Sequence, residues 1–140
     1  MKKNFIFETF LIFVLGSLTS LSLPPFNLFL INFFTFSIFF IFLFKKLNHQ
    51  TSKLSFFYYG WLFGFSFFLS GLYWITISLT FDESFNFLIP IALLLIPSFL
   101  ALFYAMITLF FYLFKPNNIL SAFFLFSLLF GVIEFIRGII

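Results

Sequence analysis

Residues 9–44 contain no Asp, Glu, Lys or Arg. A helix through all 36 of them would run about 54 Å, against a bilayer hydrocarbon core of about 30 Å. The stretch therefore holds two spans with a break between them. Leu23-Pro24-Pro25-Phe26 supplies the break, because proline lacks an N–H donor and drives its predecessor out of the α region. Further charge-free stretches cover 54–81 and 84–114. Between them lie the polar loop Lys45–Lys53, the turn around Asp82 and Glu83, and Lys115-Pro116-Asn117-Asn118. The pattern predicts an all-α integral membrane protein, a bundle of five transmembrane helices at roughly 5–22, 26–44, 56–79, 87–114 and 119–136. It predicts a single transmembrane module over 1–140, with no soluble domain. The stretch 84–114 contains Pro90 and Pro97 and reads as one long helix, with a re-entrant segment before a full span as the alternative.

Composition excludes other classes. Charged residues make up 8% of the chain and hydrophobic ones 64%, whereas a soluble domain carries about 25% charged residues. A chain of 140 residues cannot hide so much apolar surface from water by folding alone. The net charge of +3 is too sparse for a nucleic-acid footprint, and its distribution speaks instead to orientation. With the N-terminus in the cytoplasm, Lys2, Lys3, Lys45, Lys46, Lys53 and Lys115 all fall inside, while Arg137 falls outside with Asp82 and Glu83. The first twenty residues also resemble a signal peptide, with a basic start, an apolar run and small residues at Ser17, Thr19 and Ser20. Glu8 inside the early apolar run and the immediate second span argue against cleavage.

The third span is rich in small residues. At 100° per residue, Gly60, Gly64, Gly71 and Ser78 fall within about 40° of one another on the helical wheel. Such a stripe lets a neighbouring backbone approach closely, and a groove open to a lipid chain is the alternative use. Tyr58, Tyr59 and Trp61 near one end, and Tyr73 and Trp74 near the other, fit interfacial aromatic belts. The 32 phenylalanines are expected to fill lipid-facing positions. Glu134 and Arg137 stand three apart and share a helix face, as an interfacial ion pair or as support for a domain or headgroup on the outer face.

Catalytic chemistry is sparse. The chain has no cysteine and one histidine, His49, in the lysine-bearing loop. Asp82 and Glu83 are predicted a bilayer away, so no triad assembles with His49. GxSxG, P-loop and HExxH patterns are absent, and four acidic residues make no evident metal site. No cofactor and no nucleic-acid partner are implied.

Five segments in order resemble the membrane-embedded N-terminal region of apolipoprotein N-acyltransferase. These are Leu23-Pro24-Pro25-Phe26, Gly60-Trp61-Leu62-Phe63-Gly64-Phe65, Leu69-Ser70-Gly71-Leu72-Tyr73-Trp74-Ile75, Leu100-Ala101-Leu102-Phe103-Tyr104-Ala105 and Glu134-Phe135-Ile136-Arg137-Gly138. The resemblance marks Pro25, Phe26, Gly60, Gly64, Gly71, Trp74, Tyr104, Glu134, Arg137 and Gly138 as motif and packing candidates. It implies a multi-pass protein of the bacterial cytoplasmic (inner) membrane, in lipoprotein biosynthesis. Its implied partners are membrane phospholipid, a lipidated apolipoprotein and a separately encoded nitrilase-like domain. In that family an acyl chain passes from phospholipid to an enzyme cysteine as a thioester, then to the amino group of the lipoprotein's N-terminal cysteine. The cysteine, with a glutamate and a lysine, belongs to a nitrilase-like domain that follows the helices. None of the three is assignable here, so the expectation is a module that is not catalytic alone. A small polytopic transport or scaffold protein, or an inactive truncated product, is the alternative.

Overall fold

The computed structural model describes residues 2–49, 51–73 and 89–139. Over these the chain forms five α-helices: α1 (Lys2–Thr19), α2 (Leu30–Asn48), α3 (Lys53–Gly71), α4 (Ile89–Phe114) and α5 (Ile119–Ile139). Four of them, all but α3, are long and apolar enough to cross a membrane. At 26 residues, α4 is about 39 Å long and fits a bilayer only when tilted. It runs unbroken through Pro97, so from Ile89 onward the single long helix replaces the re-entrant alternative.

Side-chain contacts fix the helix directions. Glu8 meets Tyr59 and Phe5 stacks on Tyr58, while Gly71 sits near Ser20, so α1 and α3 run parallel. Thr108 reaches the Phe56 carbonyl and Trp61 reaches that of Ser98, so α3 and α4 run antiparallel. Thr19 bonds Thr35 while Lys46 meets Glu8, which makes α1 and α2 antiparallel. Phe36 on Phe130 and Phe40 on Phe123 set α5 antiparallel to α2. One end of the bundle therefore gathers the backbone positions of Lys2, Lys3, Lys45, Lys46, Lys53 and Lys115, and the other carries Glu134 and Arg137.

Helix α3 is the hub. It packs most extensively against α4 and next against α1. Ten of its 19 residues are buried, including Gly60, Gly64, Ser66 and Gly71. A helix surrounded by other helices gains from small side chains that allow close approach, and has less need of bulky lipid-facing ones. Over its described residues α3 accordingly combines glycine and serine with inward-facing aromatic side chains.

Several expected boundaries shift. Helix α2 starts at Leu30 and not at 26, because Asn27 turns the chain at φ 53 and the Leu28 N–H donates to the Leu21 carbonyl at 3.0 Å. Phe26 thus lies in the turn, 57% exposed. Helix α3 starts earlier, at Lys53, where the Ser52 hydroxyl accepts from the Ser55 N–H. It ends at Gly71 and not at 79: Leu72 caps it, and Leu72 and Tyr73 have left the helix. Trp74, Ser78, Asp82 and Glu83 lie outside the described residues. Helix α5 extends past 136 to Ile139.

Phenylalanine corrects a second expectation. Phe39, Phe56, Phe63 and Phe111 are fully buried, so the type builds the core as well as the lipid-facing surface. The Phe39 and Phe63 rings stack with centroids 4.3 Å apart, and Phe126 and Phe130 lie 4.7 Å apart. Ring pairs of this kind add about 0.5–1.5 kcal/mol beyond area burial.

Candidate functional site

Glycines bring three helices to close quarters. A Cβ built on Gly60 would stand 2.5 Å from the Tyr104 carbonyl oxygen and 2.1 Å from Thr108 Oγ1. One on Gly64 would stand 2.9 Å from Tyr104 Cβ and 3.0 Å from Ala101 Cα. The Gly60/Gly64 pair is thus the seat of α4. Gly71 shares their stripe but serves a different neighbour, with Leu23 Cδ1 at 2.8 Å, because by that height the proline turn has replaced α4. Gly16 completes the set from α1: its Cβ would lie 2.4 Å from the Phe63 carbonyl oxygen. Sequence reasoning passed over Gly16, which stands alone in α1 without a second glycine to mark a stripe. Gly138 is the reverse case. Among the described residues nothing lies within 4 Å of where its Cβ would be.

At the end away from the lysines, Arg137 Nε donates to Glu134 Oε2 at 2.9 Å and a second guanidinium nitrogen reaches the same oxygen. The guanidinium lies over the Phe68 ring of α3, 5.4 Å from its centroid. Tyr104, 3% exposed, presents its hydroxyl toward Glu134 and packs its ring against Phe68 and Phe130. Among the described residues Glu134 Oε1 is buried with no hydrogen-bond partner. The motif residues Gly64, Tyr104, Glu134 and Arg137, far apart in sequence, are therefore neighbours. At the same end, Ser17, Ser20, Pro24, Pro25, Phe26, Gly71 and Tyr73 surround a cavity of about 270 Å³. The proline turn and Gly71 meet there, while Trp74 lies beyond the described residues.

A second polar cluster, unread in the sequence, joins three helices at the opposite end. Lys46 Nζ donates to Glu8 Oε1 at 2.5 Å, and the Tyr59 hydroxyl donates to Glu8 Oε2 at 2.9 Å. The two charged side chains are 24% and 17% exposed. Glu8 is the sole acidic residue of the first 81, and a carboxylate in so apolar a run needs a partner. That isolation was the available signal, but the partner stands 38 residues away and only folding selects it. The cluster also corrects the aromatic-belt reading. Tyr59 is buried and hydrogen-bonded inside the bundle, and Trp61 donates to the Ser98 carbonyl at 3.2 Å while stacking on Phe65.

Among the described residues no three His, Cys, Asp or Glu side chains gather as a metal set. His49 caps α2 at the lysine-bearing end, away from Glu134. Hydroxyls near the proline turn are engaged by backbone: Ser20 donates to the Ser17 carbonyl and Ser22 to that of Thr19, both at 2.7 Å.

Apolar helices joined by close glycine contacts, with the charged positions among the described residues gathered toward the two ends, define a polytopic α-helical membrane module. The chain belongs to the apolipoprotein N-acyltransferase N-terminal domain family, whose pattern it matches over residues 15–140. It is 37% identical over 100 residues to the apolipoprotein N-acyltransferase of Brucella suis, covering 66% of this chain and 19% of that protein. The enzyme of Agrobacterium fabrum is 35% identical over 99 residues, covering 64% of this chain and 18% of its own length. That of Rhodopseudomonas palustris is 36% identical over 98 residues, covering 65% and 17%. The chain thus spans about a fifth of the length of these relatives. No solved structure matches it.

Proposed function

We propose that this chain is the membrane-embedded module of a phospholipid-to-lipoprotein N-acyltransferase of the bacterial inner membrane. It holds lipid and a lipidated apolipoprotein beside a catalytic nitrilase-like domain. All five helices cross the membrane, with the N-terminus and the six lysines in the cytoplasm and Glu134–Arg137 toward the outer face. Family membership supports this reading, and the single observation that carries it is the convergence of Gly64, Tyr104, Glu134 and Arg137 from three helices, with Glu134 and Arg137 toward the end opposite the lysines. Acyl transfer through a covalent intermediate needs a nucleophile with a base in reach, and this chain contains no cysteine. Its contribution is position, which raises effective concentration without making a bond.

The test supplies purified chain with phospholipid and a diacylglyceryl-modified peptide. The chain alone gives no acylated peptide above the protein-free rate. Adding a nitrilase-like domain as a second polypeptide gives N-acylated peptide only when both are present. Acylation by the chain alone, or silence of the pair, refutes the proposal, and silence favours an inactive fragment.

A further inference from the structure

The lysine-bearing end holds a feature the proposed reaction does not use. A cavity of about 480 Å³ opens between the α2–α3 loop and the α4–α5 turn, lined by Leu47, Asn48, Thr51, Tyr112, Lys115 and Asn117. Its volume falls within the range of about 300–1,000 Å³ typical of small-molecule sites. Tyr112 and Leu47 give it an apolar side, with Tyr112 anchored against Phe56 at a centroid distance of 5.1 Å. Lys115 takes φ 40, which turns the chain at the end of α4, and its ammonium lies 5.3 Å from the Tyr112 ring centroid.

The donor inventory gives the cavity its character. Among the described residues the two ion pairs use Lys46 and Arg137, so Lys115 has no carboxylate partner. Among the described residues no hydrogen bond engages the Asn48 and Asn117 amides, each of which offers two N–H donors. The Thr51 hydroxyl is already given to the Lys46 carbonyl at 2.9 Å. Among the described residues no acidic side chain lines the space. Among the described residues, an ammonium and two amides around a cavity without carboxylates, with an apolar side at Tyr112 and Leu47, match an anionic phosphate joined to a hydrocarbon tail. Basic pockets at helix ends on the cytoplasmic side of membrane proteins are known to hold anionic headgroups.

We infer that this cavity binds the headgroup of an anionic phospholipid, with Lys115 pairing with the phosphate and Asn48 and Asn117 donating to its oxygens. The site lies at the opposite end of the bundle from Glu134–Arg137, so it is separate from the proposed acyl-transfer face.

The test is thermal unfolding of the full chain in neutral detergent with added dioctanoyl phosphatidylglycerol, dioctanoyl phosphatidylcholine or inorganic phosphate. Saturating phosphatidylglycerol is expected to raise the midpoint by about 3–5 °C, with phosphatidylcholine and inorganic phosphate giving less than half of that. Lys115→Gln should weaken the phosphatidylglycerol response at least fivefold in the concentration needed, and Lys115→Arg should keep it. Lys45→Gln, which removes an exposed charge at the same end but outside the cavity, should also keep it. Equal shifts with phosphatidylcholine overturn the inference, as does an unchanged response in Lys115→Gln. A full response to inorganic phosphate overturns the lipid assignment.

Discussion

Replacing Gly60 by alanine tests whether α3 is the hub. The added methyl would stand 2.5 Å from the Tyr104 carbonyl oxygen and 2.1 Å from Thr108 Oγ1. Non-bonded carbon and oxygen settle well beyond 3 Å, so α3 and α4 must part by roughly 0.8 Å or the Thr108 side chain must turn. Turning it would forfeit the 2.7 Å hydrogen bond from Thr108 Oγ1 to the Phe56 carbonyl, itself one of the ties between these helices. Overpacking of this kind costs about 1–3 kcal/mol, and a lost buried hydrogen bond adds about 1 kcal/mol. Alanine's better helix propensity returns up to about 1 kcal/mol. The net expectation is a loss of about 1–3 kcal/mol. Gly131→Ala is the internal control, because nothing lies within 4 Å of its Cβ position. It brings the same propensity gain without the clash and should be neutral or stabilising by up to about 1 kcal/mol. The assay is titration of the purified protein in mixed micelles with a denaturing detergent, followed by circular dichroism. If Gly60→Ala proves as stable as Gly131→Ala, the close α3–α4 approach is wrong.

Gly64→Leu should destabilise the bundle more than Phe65→Leu in the same assay, since Gly64 faces Ala101 Cα while Phe65 stacks on Trp61 and is partly open; equal midpoints would remove Gly64 from the interface. Glu8→Gln should cost about 1–3 kcal/mol by leaving Lys46 half-buried and unpaired, and the Glu8→Gln/Lys46→Met double variant should recover part of that; strictly additive losses would show the pair to be uncoupled. Cysteines introduced at His49 and Gly138, which lie at opposite ends of the bundle, should react with an impermeant thiol reagent from opposite sides of the membrane; labelling of both from one side would refute the proposed orientation.

The sequence by itself determined the all-helical class, the five helices seen among the described residues and the two ends of the bundle. Spans follow from charge-free length measured against bilayer thickness, and the turns follow from Pro24-Pro25, Lys45–Lys53 and Lys115-Pro116, all local or compositional signals. The glycine stripe likewise announced that α3 would take a close neighbour, and the i, i+3 spacing announced the Glu134–Arg137 pair. Which neighbour each glycine takes was decided by the tertiary structure: Gly60 and Gly64 seat α4, Gly71 seats the proline turn, and Gly16 enters from another helix altogether. Turn details also escaped, because Phe26–Phe29 are apolar enough for a helix and only the backbone bonds around Asn27 keep them out of one. The Glu8–Lys46–Tyr59 cluster shows the limit most plainly. Periodicity reports which face of a helix is apolar, but a polar contact across 38 or 51 residues depends on how three helices align in height and rotation, which no single helix encodes.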